Sequence, residues 1–292
     1  MKTILSLFDC SGNWPAPWDH RADVDVIHCD IKNPTPIDVA AFSVANLIEE
    51  LGIEDADAII AAPPCTHFTA AGAQFWKAKD EDGRTEEALE LARQVLRTVD
   101  LYRPDWWVLE NPVGRLARLM PEIGRPSLIF HPCDYAGWVT TDPADLARLE
   151  ELRARNGEGQ WTAEEIAFVR RTNAYTKGTC LWGNFQLPEK RRIEPVRVCK
   201  QGSWLQKLGG SRESTKAARS ETPLGFAQAF AVANDWTPAA LHRIELARML
   251  DYAVQLCLEP AEAADEVAAE FGFDRVTRAE FLAALPAAAL AA

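Results

Sequence analysis

Short apolar strands that alternate with helical stretches constrain the fold of this 292-residue chain more than any other feature. The strand-like runs cover residues 3–8, 24–29, 58–62 and 106–109, and the helical stretches cover 37–51 and 85–101. This alternation is typical of an α/β fold with a mainly parallel sheet covered on both faces. Ligands of such sheets bind at the carboxyl ends of the strands, so the residues after each strand are the candidates for function.

Residues able to carry chemistry follow each of the four strand-like runs. Asp9 follows the first run, Asp30 the second, Cys65 the third and Glu110 the fourth. Because the carboxyl ends of parallel strands meet at one edge of a sheet, we expect these side chains to gather there.

Two of these residues have environments that suit catalysis. Cys65 follows Pro63-Pro64 on a rigid turn, where the amino terminus of a following helix would lower the pKa of the thiol and favour the thiolate. Glu110 ends an apolar run that contains two tryptophans, where burial would raise the pKa of its carboxyl and let it donate a hydrogen bond to a ring nitrogen. Taken singly, a buried inert cysteine and a solvated glutamate are the plainer interpretations.

The order of these motifs carries more information than either motif alone. Pro64-Cys65 and Glu110-Asn111, preceded by a strand that leads into Phe8-Asp9-Cys10-Ser11-Gly12, resemble the DNA cytosine-5 methyltransferase family, including divergent phage-type members. The resemblance covers residues 3 to about 114 and resumes from 175 to 234. It implies a Rossmann-like class I core that uses S-adenosylmethionine, with Cys65 attacking cytosine and Glu110 contacting the base.

The resemblance also implies a set of residues around the methyl donor. They are Phe8, Asp9, Cys10, Ser11, Gly12, Asp30, Pro63 and Asn234. The loop after the first strand lacks the second glycine of the family pattern, so its contact with the donor must differ in detail. Asp30 suits the ribose hydroxyls, with a capping role as the alternative. Asp38, Asp55 and Asp57 are candidates for contact with adenine, and the sequence does not choose among them.

The second half of the chain departs from the family in two ways. Residues 175–183 lie where the family places an arginine-bearing strand that contacts the base, but here Lys177 is the nearest cation and becomes the third catalytic candidate. Only about thirty residues separate Gly183 from Arg212, where the family inserts a large target-recognition domain. Any sequence-specific contact must therefore come from shorter segments.

Composition completes the predicted organisation. A methyltransferase core is expected over 1–236, with a helical insertion at 142–171 and a basic segment at 190–219, followed by a helical extension over 237–292. The net charge of −12 argues against a uniformly basic surface, so phosphate binding would rely on the basic segment.

Seven cysteines without disulfide-like spacing, together with the lack of a signal peptide, predict a cytoplasmic protein. No metal site is expected, since a zinc site drawn from His28, Cys29, Cys65 and His67 has no familiar spacing.

The resemblance implies an enzyme that methylates carbon 5 of cytosine in DNA, with the target base flipped from the duplex. Four aromatic residues are candidates for stacking against bases, although core packing is the commoner role of such residues; they are Trp14, Trp18, Phe68 and Trp76. One alternative keeps the chemistry but acts on a cytosine nucleotide or single-stranded nucleic acid. Another alternative is a non-catalytic DNA-binding relative.

Overall fold

A computed structural model describes residues 1–9, 11–30, 52–208, 213–256 and 258–285. The strands are β1 (Lys2–Leu7), β2 (Val24–Cys29), β3 (Ala58–Ala61), β4 (Trp106–Pro112), β5 (Leu128–Phe130) and β6 (Thr179–Asn184). The helices of the first two thirds are α1 (Trp76–Glu81), α2 (Arg84–Tyr102), α3 (Leu116–Leu119), α4 (Pro143–Ala154) and α5 (Ala163–Arg171). The later helices are α6 (Glu213–Ser220), α7 (Leu224–Ala233), α8 (Pro238–Leu256), α9 (Pro260–Phe271) and α10 (Arg278–Ala284).

The described strands form one sheet in the order β2-β1-β3-β4-β6-β5. β1 pairs in parallel with β2 and β3, and β3 pairs in parallel with β4. β6 is antiparallel to both of its neighbours, so β5 runs in the same direction as β4. This arrangement confirms the predicted Rossmann-like α/β fold with a mainly parallel sheet.

Alternation of side chains along the central strands builds a core on each face of the sheet. Leu5 and Ile59 pack into one core, to which α2 contributes residues such as Leu89. Ile4 and Ile60 point to the other face, where they join a core rich in aromatic side chains. Because successive strand residues face opposite ways, an apolar run without polar interruption is what a sheet covered on both faces requires.

The aromatic residues considered for base stacking lie mostly in these cores. Trp14, Trp18 and Phe68 are fully buried, and Trp14 packs edge-on against Phe226 with ring centroids 5.5 Å apart. The stacking hypothesis is therefore wrong for these three residues, which stabilise the fold instead. Trp76 is half-buried and lies under the guanidinium of a nearby arginine, discussed below.

The helical insertion predicted over 142–171 forms the helix pair α4 and α5. Leu149 and Leu152 of α4 and Val169 of α5 pack with Val198 and Trp204 of the basic segment in a core of their own. The insertion and the described part of the basic segment are thus one packed unit rather than two independent loops.

The described residues after Asn234 are mostly helical, as predicted. Residues of α8, α9 and α10 form a separate small core that includes Met249, Val267 and Phe281. Trp236 packs against Trp106 of β4, with ring centroids 5.6 Å apart, and attaches the start of these helices to the sheet. Among the described helices, none is long and apolar enough to cross a membrane. The domain boundary at residue 236 stays a prediction.

Two elements differ from the sequence-based expectation. β4 continues through Glu110 to Pro112 because β6 pairs with it there, Asn111 opposite Cys180 and Pro112 opposite Thr179. β5 is only three residues long, and the local pattern did not predict it. The helix expected at 37–51 lies outside the described residues.

Candidate active site

The carboxyl ends of β1, β3 and β4 bring three of the predicted residues to one edge of the sheet, here called the carboxyl edge. Leu7 is in register with Ala61, and Ala61 is in register with Leu109. Asp9 and Cys65 follow these strand ends within a few residues, and Glu110 follows Leu109 directly. The gathering predicted from the strand pattern is what the sheet register produces.

Cys65 lies on a short turn, residues 65–69, here called the Cys65 turn. Its carbonyl oxygen accepts hydrogen bonds from the backbone N–H groups of Phe68, at 3.0 Å, and Thr69, at 3.1 Å. The side-chain amide of Asn111 donates to the carbonyl oxygen of Pro63 at 3.1 Å, which ties the end of β4 to the approach to the turn. The Cys65 side chain is half-buried.

Burial raises the pKa of the Cys65 thiol to about 11, and Glu110 acts in the same direction. The cations of Lys177 and Lys79 oppose this rise without overcoming it. The expected lowering of the pKa by a helix amino terminus is wrong, because the turn leads into a 3-10 segment at Ala70–Phe75 and not directly into an α-helix. The resting thiol is therefore protonated at neutral pH.

The environment of Glu110 favours the protonated form of its carboxyl. Burial raises its pKa, the nearby Asp9 carboxylate adds to the rise, and Lys177 lowers it in part. Within the described part of the chain, its buried Oε1 atom has no hydrogen-bond partner. A protonated carboxyl with unused hydrogen-bonding capacity can donate to a ligand atom that lacks a proton.

Lys177 reaches the same place through the β4–β6 pairing. The N–H of Val113, just beyond β4, donates to the carbonyl oxygen of Gly178 at 3.0 Å. The Nζ atom of Lys177 lies 4.0 Å from Glu110 Oε1, and the side chains are 12% and 16% exposed, respectively. The structure therefore brings together the three predicted catalytic candidates, Cys65, Glu110 and Lys177.

The loop after β1, residues 9–13, is organised around Asp9. Its carboxylate accepts hydrogen bonds from the Ser11 N–H at 3.1 Å, the Ser11 hydroxyl at 2.6 Å and the Trp14 N–H at 3.2 Å. Phe8 and Gly12 have positive φ angles of 63° and 65°, a conformation that costs a non-glycine residue about 1–2 kcal/mol. Asp9 thus holds the loop in shape, and Ser11 is exposed on it. Cys10 lies outside the described residues.

The end of β2 lies beside this loop. The N–H of Phe8 donates to the carbonyl oxygen of Cys29 at 2.8 Å, and Asp30 follows Cys29 directly. One contact was not anticipated: the Asn13 amide donates to Glu221 Oε1 at 3.2 Å and to the Thr222 carbonyl oxygen at 3.3 Å, just before α7. No local pattern in the sequence signals a contact between residues so far apart in the chain.

Asn234 does not join the other predicted residues. Its side chain accepts from the Gln186 N–H at 2.7 Å and donates to the carbonyl oxygens of Gln186 and Phe230. Gln186 follows the end of β6, which pairs with the start of β4, so this contact lies at the opposite, amino edge of the sheet. Asn234 fastens α7 to the sheet there.

Two of the three candidates for contact with adenine also lie away from the carboxyl edge. Asp57 lies at the amino edge, where it accepts hydrogen bonds from the side chain of Lys2 and from the N–H of Thr3. Asp55 also precedes β3 and lies on that side, whereas Asp38 is outside the described residues. A cleft of about 880 Å³ at the amino edge is lined by residues including Arg103, Trp107 and Arg248, so this cleft is separate from the Cys65 turn.

The basic segment is partly neutralised by contacts within the protein. Arg192 lies 2.6 Å and Lys190 3.6 Å from the buried carboxylate of Asp134. Arg191 stacks on Trp138 with its guanidinium carbon 3.7 Å from the ring centroid. These three cations already have partners, which reduces the charge that the segment offers to phosphates.

Comparisons with known proteins bear on these residues. Residues 33–119 match the family model described as C-5 cytosine-specific DNA methylase. A comparison with curated proteins found no match. Among solved structures, the chain is similar to a protein encoded within an E. coli prophage and described as a DNA modification methyltransferase, with 12% identity and a TM-score of 0.33. That similarity covers 73% of this chain and 56% of the other, so the chain spans little more than half of that relative.

The segment that matches the family model contains both Cys65 and Glu110, the two residues on which the sequence-based resemblance rested. The resemblance found in the sequence is thereby confirmed over residues 33–119, the part of this chain that matches the C-5 cytosine-specific DNA methylase family model.

Proposed function

We propose that this protein transfers a methyl group from S-adenosylmethionine to carbon 5 of cytosine in DNA through a covalent adduct with Cys65. The observation that carries the proposal is the convergence of Cys65, Glu110 and Lys177 at the carboxyl edge, with Glu110 in a site that favours its protonated form. The family match over residues 33–119 supports the same chemistry.

Cys65 and Glu110 would act on two atoms of the cytosine ring in the same step, Cys65 on carbon 6 and Glu110 on ring nitrogen 3. As the Cys65 thiol gives its proton to solvent, its sulfur forms a bond to carbon 6, and the electron pair of the carbon 5–carbon 6 double bond shifts to make carbon 5 nucleophilic. Once carbon 5 carries the methyl group, loss of its proton to solvent restores the ring double bond and releases the Cys65 thiolate. Glu110 donates its proton to ring nitrogen 3, which keeps negative charge from accumulating on the ring. The Glu110 carboxylate left behind is stabilised by the Lys177 cation, 4.0 Å away.

The residues beside the Cys65 turn fit the methyl donor. The exposed Ser11 and the positive-φ turn at Gly12 offer polar backbone and hydroxyl groups at the end of β1, and Asp30 offers a carboxylate for ribose hydroxyls at the end of β2. S-adenosylmethionine supplies an electrophilic methyl group when bound. Phe8 and Asp9 would shape this loop, while the carbonyl oxygen of Pro63 is occupied by Asn111.

A duplex substrate requires the target cytosine to leave the base stack before Cys65 can reach it. One observation favours the same chemistry on a smaller or single-stranded substrate. Lys190 and Arg192 are paired with Asp134 and are therefore poorly placed to hold a long phosphate backbone. A cytosine nucleotide or single-stranded nucleic acid is accordingly the second candidate.

The proposal is tested by trapping the adduct. A cytosine with fluorine at carbon 5 accepts the methyl group but has no proton there to lose, so Cys65 cannot leave. Duplex and single-stranded oligonucleotides containing 5-fluorocytosine, and 5-fluoro-dCMP, are each incubated with the enzyme and S-adenosylmethionine. We expect a denaturant-resistant complex with wild type and with Cys199→Ala, which removes a half-buried thiol outside the site, but none with Cys65→Ala.

Peptide mapping of the complex decides the outcome. An adduct on Cys65 supports the mechanism, and the substrate that forms it identifies the substrate class. An adduct on another cysteine contradicts the assignment of Cys65. Absence of a complex on an oligonucleotide whose unfluorinated form is methylated would show that carbon 5 is not the target atom.

A further inference from the structure

Arg115 is a buried cation next to the Cys65 turn that the proposed chemistry does not use. Only 5% of the residue is exposed. It follows Gly114, just past the end of β4, and so it is attached to the same strand that carries Glu110. Burying a guanidinium costs free energy unless its N–H groups donate hydrogen bonds. The groups that accept those bonds are therefore the ones that Arg115 holds in place.

Arg115 contacts the Cys65 turn through its backbone and its side chain. Its N–H donates to the carbonyl oxygen of Phe68 at 3.0 Å, and its Nε atom donates to the carbonyl oxygen of His67 at 2.9 Å. A β-bridge between Thr69 and Gly114 lies directly beside these contacts. The end of the Cys65 turn that is farther from Cys65 is therefore attached to the residues that follow β4.

The outer side of the guanidinium holds the segment that follows the turn. Nη1 and Nη2 donate to the two carboxylate oxygens of Asp80 at 2.8 and 2.7 Å. Nη2 also donates to the Thr85 hydroxyl at 3.1 Å, and that hydroxyl donates to Asp80 at 2.6 Å. The guanidinium carbon lies 4.6 Å from the ring centroid of Trp76. This bidentate and stacked geometry suits arginine and not lysine.

A second cation adds to the same attachment. Lys79, the residue before Asp80, donates from Nζ to the carbonyl oxygen of Thr66 at 2.7 Å. Together, Lys79 and Arg115 contact the carbonyl oxygens of three successive residues of the turn, Thr66, His67 and Phe68. Residues 66–68 are thus held from both α1 and the end of β4.

From these contacts we propose that Asp80 and Arg115 form a clamp that fixes the Cys65 turn, which makes Arg115 a positioning residue for the attack by Cys65. The inference rests on the proposed function for its catalytic consequence, but the clamp itself is a property of the turn. Hydrogen bonding from Arg115 and Thr85 lowers the pKa of Asp80 to about 2. The clamp therefore stays ionised at any pH near neutrality.

The test opens the clamp from its exposed side. The Asp80 side chain is 45% exposed, so Asp80→Asn removes the charge without leaving a cavity in the core. The matched control is Asp82→Asn, because Asp82 is also exposed and ion-paired, but with Arg84 instead of Arg115. Thermal melting verifies that both variants fold.

Two readouts are measured on each variant. The first is the rate of Cys65 alkylation by iodoacetamide at fixed pH, which requires no substrate. We expect Asp80→Asn to raise this rate about threefold or more, since a loosened turn exposes the thiol and brings its pKa nearer to the ordinary value. The second is methyl transfer, for which kcat should fall about 10- to 100-fold while KM for DNA and S-adenosylmethionine changes little. Asp82→Asn should match wild type in both.

The outcomes separate the clamp from the proposed function. An unchanged alkylation rate in Asp80→Asn, or an equal change in Asp82→Asn, overturns the clamp. Faster alkylation in Asp80→Asn alone supports the clamp even if wild type proves unable to methylate DNA, in which case the proposed function fails by itself. Arg115→Lys keeps the charge but loses the bidentate contact, and wild-type values in both readouts for this variant would also overturn the clamp.

Discussion

Raising the pH should reveal the raised pKa of the half-buried Cys65 thiol through its rate of alkylation. Iodoacetamide reacts with the thiolate, so the rate follows the ionised fraction. Burial and the neighbouring Glu110 raise the pKa of Cys65 to about 11, whereas an unperturbed cysteine has a pKa of about 8.5. Between about pH 7.5 and about pH 9.5, the rate should therefore increase about 100-fold for Cys65, compared with about tenfold for an unperturbed thiol.

The assay must resolve individual cysteines, because several thiols are free. Timed alkylation followed by protease digestion and mass spectrometry gives a rate for the peptide that contains Cys65, with Cys199 as a half-buried thiol outside the site in the same digest. A rise of only about tenfold, or a plateau before about pH 9.5, would refute the raised pKa of Cys65. A thiol already ionised at neutral pH would instead support the helix-terminus interpretation that the structure contradicts.

Three further predictions concern the neighbours of Cys65. Lys177→Met removes a cation that lowers the pKa of Cys65, so alkylation of Cys65 at about pH 8 should slow, as measured in the same digest. Burial raises the pKa of Glu110, so the unfolded state releases this proton above about pH 4.3 while the folded state still holds it. The stability of the fold therefore falls as the pH rises from about 4.3 to the raised pKa of the folded state. The stability of Glu110→Gln relative to wild type, measured by denaturant unfolding, should therefore be greater at neutral pH than at about pH 4. Gly114→Ala should destabilise the fold by about 1–3 kcal/mol in the same measurement, since the new Cβ would lie 2.2 Å from the Phe68 carbonyl oxygen; wild-type stability would contradict this close approach.

Strand-end logic was sufficient to predict the centre of the candidate site. Cys65 and Glu110 follow apolar runs that could be read directly, and parallel strands place such residues at one edge whatever the details of packing. Lys177 entered through the resemblance, and its proximity to Glu110 depends on β6 pairing antiparallel to β4. The prediction from strand ends and the prediction from the resemblance both require no knowledge of side-chain contacts.

Contacts between distant segments were beyond the reach of the sequence pattern. The basic neighbours of Arg192 in the chain predict a role in phosphate binding, yet Arg192 pairs with Glu194 and with Asp134, which is 58 residues away. Asn234 was assigned to the cofactor pocket from its place after a helix, but its amide bonds put it at the amino edge. Local composition specifies neither the partner of a charged side chain nor the edge that a helix end reaches.

The direction of the Cys65 pKa shift shows why placement and chemistry must be separated. The sequence predicts a thiolate activated on a turn after a strand, whereas the turn is followed by a 3-10 segment and burial raises the pKa of the thiol. Burial also raises the pKa of Glu110. An environment that raises both pKa values favours the neutral forms of Cys65 and Glu110 beside the Lys177 cation, and each proton moves when a base is in contact with it. Attack by Cys65 and proton donation by Glu110 are then coupled to the arrival of the cytosine ring. For such a site, the rate of attack depends more on the position of the Cys65 turn than on prior ionisation of the nucleophile.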